Sequence, residues 1–229
     1  MLLKYICKGL LKLIGWKKLD KEIIDYLNLH PYTLMIFSHT SYYDFLIMLL
    51  YSLSNKKLGV LKVLIKPQLF TYFGWLFRRL GGIPSTKIES KNGGSTNLII
   101  QELQKYPRAY FLISPKGTIL KADWRSGYYY IACNLKANLV SIGADYEKKE
   151  IVMGKGIMYN EGEEKDIKKH LISELQEIVP LYPERELGEI RKYDKDLLCV
   201  VSNTRLGMLG LSISSGVFGL VMLYKYLRK

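Results

Sequence analysis

Two side chains of this 229-residue chain stand at a spacing that could move a proton. They are His39 and Asp44, in the stretch Ser38-His39-Thr40-Ser41-Tyr42-Tyr43-Asp44. An imidazole titrates near neutral pH, and a carboxylate beside it fixes its tautomer and raises its basicity. Such a pair can take a proton from a hydroxyl. A plainer role competes: Asp44 caps a helix and His39 is a polar turn residue. Spacing alone favours the plainer role. No third residue at suitable spacing makes the pair a metal site. No Gly-x-Ser-x-Gly elbow supports a serine nucleophile, so Ser41 reads as a turn residue. His30 and His170 lie in polar or turn contexts and receive no role.

The elements around the pair would hold it at an edge. An apolar run, Tyr32–Phe37, reads as a buried strand, and Phe45–Leu53 reads as a helix. A strand-to-helix turn presents side chains while rigid elements fix them on both sides. Before it, Asp20–Leu29 reads as a short helix. After it, the pattern predicts a strand over 57–66 and a helix from Pro67 to Arg79, with little polar face and Gly81-Gly82 at its end. Then come a helix from Ser95 to Lys105, a strand Ala109–Ile113, a helix Ser126–Leu135, strands Leu139–Asp145 and Glu150–Tyr159, and a helix Asp166–Val179. Strands alternating with helices predict an α/β domain over residues 30–180, with a mainly parallel central sheet and flanking helices.

Composition points to an anionic partner. Lys and Arg number 34 against 21 Asp and Glu, a net charge of +13. No zinc-ligand cluster, RNA-binding signature or basic heptad helix accompanies that charge, so nucleic acid is not the expected partner. The hydrophobic fraction of 48% turns the expectation toward a membrane. Cys7, Cys133 and Cys199 are scattered and odd in number, which suggests no disulfide framework. Residues 1–29 are expected to be membrane-interface helices. Lys4, Lys8 and Lys12 line one face of the first; Leu2, Leu3, Ile6, Leu10, Leu13 and Ile14 line the other, and Trp16 follows. Residues 181–204 read as a polar connector. Within 205–229, Leu206–Tyr224 is a nineteen-residue run without a charge, long enough to span a bilayer. This predicts a single C-terminal anchor with the catalytic domain on the cytosolic face. Ser212 with Gly216 and Ser215 with Gly219 are small-residue pairs that would allow self-association through the span.

Four blocks in order carry a family resemblance. They are the His39–Asp44 stretch; Leu80-Gly81-Gly82-Ile83-Pro84-Ser85; Phe111-Leu112-Ile113-Ser114-Pro115-Lys116-Gly117-Thr118 with Trp124-Arg125; and Asn138–Tyr146. Together they resemble the glycerolipid acyltransferases of the 1-acylglycerol-3-phosphate acyltransferase type, over roughly residues 30–180. The resemblance implies transfer of a fatty acyl group from a thioester, acyl-CoA or acyl-carrier protein, to a lysophospholipid hydroxyl, with no other cofactor. His39 would be the general base and Asp44 its orienting carboxylate. Gly82, Ile83, Pro84, Ser85, Lys87, Pro115, Lys116, Gly117 and Thr118 would bind the substrate, the acceptor phosphate above all. The chain departs from the family at Lys87, where Arg is usual, at Lys116, where Glu is usual, and at Ile119, where Arg is usual; the last block lacks the family's proline. These departures keep two further readings open: a phospholipid–lysophospholipid transacylase, and a catalytically impaired membrane lipid-binding protein.

Overall fold

Seven strands form one sheet in the order β3-β2-β4-β1-β5-β6, with β7 also paired to β5. The computed structural model describes residues 2–30, 32–55, 61–65, 67–84, 94–106, 109–118 and 123–185. Its strands are β1 (Tyr32–Phe37), β2 (Leu61–Ile65), β3 (Gly82–Pro84), β4 (Ala109–Ile113), β5 (Asn138–Asp145), β6 (Glu150–Met153) and β7 (Ile157–Met158). Its helices are α1 (Leu2–Leu13), α2 (Lys21–Leu29), α3 (Tyr42–Ser54), α4 (Pro67–Arg79), α5 (Gly94–Gln104), α6 (Gly127–Leu135) and α7 (Glu164–Leu175). The pairs β1–β4, β1–β5, β2–β3 and β2–β4 are parallel; β6 and β7 run antiparallel to β5.

The parallel centre explains the near-continuous apolar runs of β1 and β5, because helices cover both sheet faces. Leu34 and Ile36 of β1, Phe111 and Ile113 of β4 and Leu139 of β5 pack into one core with α5, α6 and α7. On the other face, Met35, Tyr110 and Ile142 meet Leu27, Met48 and Tyr51 of α2 and α3 around an apolar cavity of about 20 Å³. Such a space is about the size of one water molecule.

The expected α/β architecture and mainly parallel sheet are present. Several boundaries differ for identifiable reasons. Helix α3 begins at Tyr42 instead of Phe45, because Ser41 caps it. Gly82–Pro84, not among the expected strands, is the edge strand β3, paired with Val63–Ile65. The single strand expected over 150–159 is two short ones. Gly154 lies between them, where a Cβ would strike the Ser141 hydroxyl and the Glu174 carboxylate. That carboxylate fills the break, accepting from the Ser141 hydroxyl and the Lys155 amide, each at 2.6 Å. Helix α7 ends at Leu175, and Ile178 and Val179 are buried beyond it. Of the connector expected over 181–204, Leu181 and Pro183 are buried against the domain; the connector beyond residue 185 and the run 206–224 lie outside the described residues. Among the described residues, no helix is long and apolar enough to cross a membrane.

Helix α1 forms within the stretch where the amphipathic pattern placed it. It packs on α3 through a strip containing Cys7 and Leu11, not through the full apolar face. Leu2, Leu3, Ile6, Leu10 and Leu13 stay exposed, Leu13 by 70%. Trp16, expected at a membrane interface, is instead buried, edge-on to Tyr51 and Tyr146. Trp16→Ala should therefore destabilise the protein by about 3–5 kcal/mol, whereas Leu13→Ser should cost less than about 0.5 kcal/mol. Denaturant midpoints of the two variants check this; equal values would show that Trp16 is not a core residue.

Candidate active site

The carboxyl ends of the parallel strands face one edge of the sheet, where an open α/β sheet places its ligands. His39 follows β1, the Ser114–Thr118 loop follows β4, and Tyr146 follows β5. Since β1 lies between β4 and β5 in the sheet, these three loops are neighbours.

Asp44 has two structural duties as well as a chemical one. It is the third residue of α3, and its Oδ2 accepts from the amides of Ser41 (2.7 Å) and Thr40 (2.8 Å). The Ser41 hydroxyl in turn accepts from the Tyr43 amide at 3.1 Å, which completes a capping box. So the capping role of Asp44 and the turn role of Ser41 both hold. The same Oδ2 lies 3.5 Å from Nδ1 of His39. That is long for a hydrogen bond, and Nδ1 is buried with no other partner. The His39 side chain as a whole is 22% exposed, so the accessible edge of the ring is the Nε2 edge. Phe37 and Tyr42 border the ring at centroid distances of 5.8 and 6.4 Å. One nitrogen thus faces a buried carboxylate and the other faces outward, the arrangement a general base needs.

The remaining oxygen of Asp44 is also engaged. Tyr146 donates to Oδ1 at 2.7 Å. Burial first, then the Asp44 charge and this bond, hold the Tyr146 hydroxyl well above its ordinary ionisation range. Asp145 anchors the turn that carries Tyr146: it has no exposed surface, and it accepts from the amides of Lys148 at 2.7 Å and Val179 at 3.3 Å.

The loop after β4 is pinned rather than open. Gly117 closes a turn onto the Ser114 carbonyl at 3.0 Å with φ of 65°, a left-handed conformation that suits glycine. Pro115 is buried, and its carbonyl accepts from the Arg125 amide. Lys116 is only 3% exposed, and its Nζ donates to the Arg185 carbonyl at 2.9 Å. Arg185 in turn donates from Nη1 to the Thr40 carbonyl at 2.8 Å, with its guanidinium over the Tyr182 ring. The short turn Pro183–Arg185 therefore laces the β4 loop to the His39 turn.

The structure brings His39, Asp44 and the Pro115–Thr118 loop to one edge. It does not bring the Gly82–Pro84 block beside them. Three strand steps separate β3 from β1, about 14 Å of sheet. Gly82 and Ile83 are buried, Ile83 within the core, and Pro84 is half-buried. Ser85, Lys87 and Ile119 lie outside the described residues. The sequence motifs assign no role to Tyr146 or Arg185. The two-residue alternation of β5, from Ile142 through Ala144, points to Tyr146 on the face that α3 covers. Nothing in the sequence marks Arg185.

A sheet-edge imidazole backed by a buried carboxylate is an arrangement that can accept a proton from a hydroxyl group. The acyltransferase family model matches residues 18–145, more than half of the chain and the whole of the His39–Asp44 and β4-loop region. The chain belongs to this family, that of the glycerolipid acyltransferases, and is an acyltransferase. No curated protein matches it.

Asp44→Asn keeps the shape of this arrangement and removes its charge. The amide oxygen can still accept from Thr40 and Ser41 while its NH2 turns to the Tyr146 oxygen. The variant should stay folded, within about 1–2 kcal/mol of wild type, while acyl transfer falls roughly 10³–10⁴-fold. Turnover measured beside the thermal midpoint checks both; a fall in stability that accounts for the lost activity would reduce Asp44 to a cap.

Proposed function

We propose that this acyltransferase moves a fatty acyl group from an acyl thioester to the free hydroxyl of a lysophospholipid, lysophosphatidic acid first, in phospholipid biosynthesis. The donor is acyl-CoA or acyl-carrier protein. The observation that carries the reading is His39, with Nδ1 toward a buried carboxylate and its other edge open. Nε2 takes the hydroxyl proton, and the oxygen attacks the thioester carbonyl. The C–S bond then breaks, and the thiolate leaves with the proton returned by the imidazolium. A positioned base of this kind is worth about 10²–10⁴-fold.

A phosphate-bearing acceptor is favoured by charge. The guanidinium of Arg185 rests on the carbonyl next to His39, partly exposed, with the more exposed Glu184 carboxylate 4.0 Å from its Nε, and Lys116 holds the Arg185 backbone from behind. Lys116 stands where the family has Glu, but it has a defined structural task. This supports an active enzyme over an impaired one.

The membrane reading rests on two elements. The exposed apolar strip of α1, bordered by exposed Lys8 and Lys12, suits the interface of an anionic bilayer. The run 206–224 would supply a C-terminal span, with the domain on the cytosolic face.

His39→Ala should lower acyl transfer to background while binding to vesicles is unchanged; normal turnover in the folded variant would sink the mechanism. Arg185→Met should raise the KM for lysophosphatidic acid roughly tenfold, with a smaller effect on monoacylglycerol; equal effects on both acceptors would remove the phosphate assignment. In fractionation, deletion of residues 206–229 should convert an enzyme that needs detergent into one that high salt strips from anionic vesicles, since each surface lysine contributes about 1 kcal/mol. Salt release of the full chain would instead argue against the span.

A further inference from the structure

We infer that Tyr146 is a positioning residue for catalysis: its hydroxyl fixes the Asp44 carboxylate and sets how strongly that carboxylate holds a proton on His39. The inference rests on the reading of His39 as the base. It deepens that reading by adding a member to which none of the four sequence blocks gives a function.

The geometry divides the two oxygens of Asp44 between different tasks. Oδ2 is held by the Thr40 and Ser41 amides and faces His39. Among the described side chains, Oδ1 receives Tyr146 alone, at 2.7 Å. Without that bond, the carboxylate would be held at one oxygen and could pivot about it. Tyr146 lies 102 residues away in sequence, beyond the end of β5. It has a ring held edge-on by Trp16 at 5.3 Å and a backbone amide bonded to the Val179 carbonyl at 2.9 Å. Both residues of the bond are buried, Tyr146 to 1% and Asp44 to 2% exposure. The donor is therefore rigid, dry and aimed at one atom, as a residue that orients a catalytic side chain must be.

The hydroxyl also has an electrostatic consequence. A donor on Oδ1 stabilises the carboxylate charge and draws part of it away from the oxygen that faces the imidazole. Removing the donor leaves more of that charge on the oxygen that faces the imidazole. A base must be neutral to act, and the acid limb of kcat/KM against pH would then move upward. The groups that face this cluster are His39 and Tyr43 beside Asp44, Tyr182 beside Tyr146, and Arg185 on the Thr40 carbonyl. Tyr146→Phe leaves all four of these side chains in the chain.

The test is Tyr146→Phe in the full-length, detergent-solubilised enzyme, which keeps the ring and its contact with Trp16. We expect kcat about tenfold lower, KM for the acceptor unchanged, and the acid limb displaced upward by about 0.5–1 in pH. The His39 ring protons, identified among the three histidines by their absence in His39→Ala, should show the same displacement in an NMR titration. A folded variant with an unmoved limb and an unmoved His39 titration overturns the inference, even if its rate is lower, because a purely structural tyrosine would change only stability and rate. Should Tyr146→Phe fail to fold, the bond is read in the wild type. The Tyr146 hydroxyl proton, shielded from exchange, should give a low-field resonance that Asp44→Asn displaces, and a resonance indifferent to Asp44→Asn overturns the inference. The titration needs no substrate. A failure of the acyl-transfer reading, seen as normal turnover in His39→Ala, is thus separable from a failure of Tyr146.

Discussion

A carboxylate with 2% exposure lies at the start of α3, and the elements around it satisfy its oxygens. Moving an ion of that size out of water costs several kcal/mol unless hydrogen bonds and opposite charge compensate. Asp44 finds that compensation in elements far apart in sequence. The turn after β1 gives two amides, the end of β5 gives a phenol, and His39 gives an imidazole. Each must be in place for the others to be useful. A shift of α3 along its axis would break the cap, and a shift of the β5–β6 turn would remove the phenol. Helix start and proton-transfer geometry are thus set by the same atoms. The cap holds the same carboxylate that faces His39.

The sheet order supplies the second constraint. With β1 between β4 and β5, the catalytic turn has one loop on each side. One side provides the carboxylate's phenol. The other provides Lys116 and, through it, Arg185. The family's usual acid and arginine positions carry Lys116 and Ile119 here. A cation is nevertheless delivered to the rim from a segment after α7.

The extent to which all this could be read beforehand follows from the range of each interaction. Strands β1, β4 and β5 were legible because parallel, doubly covered strands must be apolar throughout. The turn holding His39 and Asp44 was legible because it lies between two such runs, and both roles of Asp44 are local. The edge strand β3 was hidden by its three residues, one of them glycine and another proline, which read as turn chemistry. The break at Gly154 was hidden because its cause is the carboxylate of Glu174 on another element. Tyr146 was half legible: its face follows from alternation, but its partner does not. Arg185 was illegible, since a partly exposed arginine in a polar stretch of a chain with 34 basic residues carries no mark. Trp16 misled in the opposite direction, because an aromatic after a basic amphipathic helix suits a bilayer surface and a protein core equally well.

The burial of Trp16 has a practical consequence for how the enzyme can be handled. Its indole lies against Tyr146, and the following residue, Lys17, donates its amide to the Lys149 carbonyl at 2.8 Å. The N-terminal segment is therefore a wall of the turn that carries the Asp44 donor. A preparation shortened past Trp16, to remove the greasy first helix and its tail, would take that wall away together with the exposed leucines. Its turnover would describe a protein whose β5–β6 turn has been unbraced, so a low rate would say nothing of the intact chain. Replacing the exposed leucines while keeping Cys7, Leu11 and Trp16 is the route to solubility that leaves the brace standing.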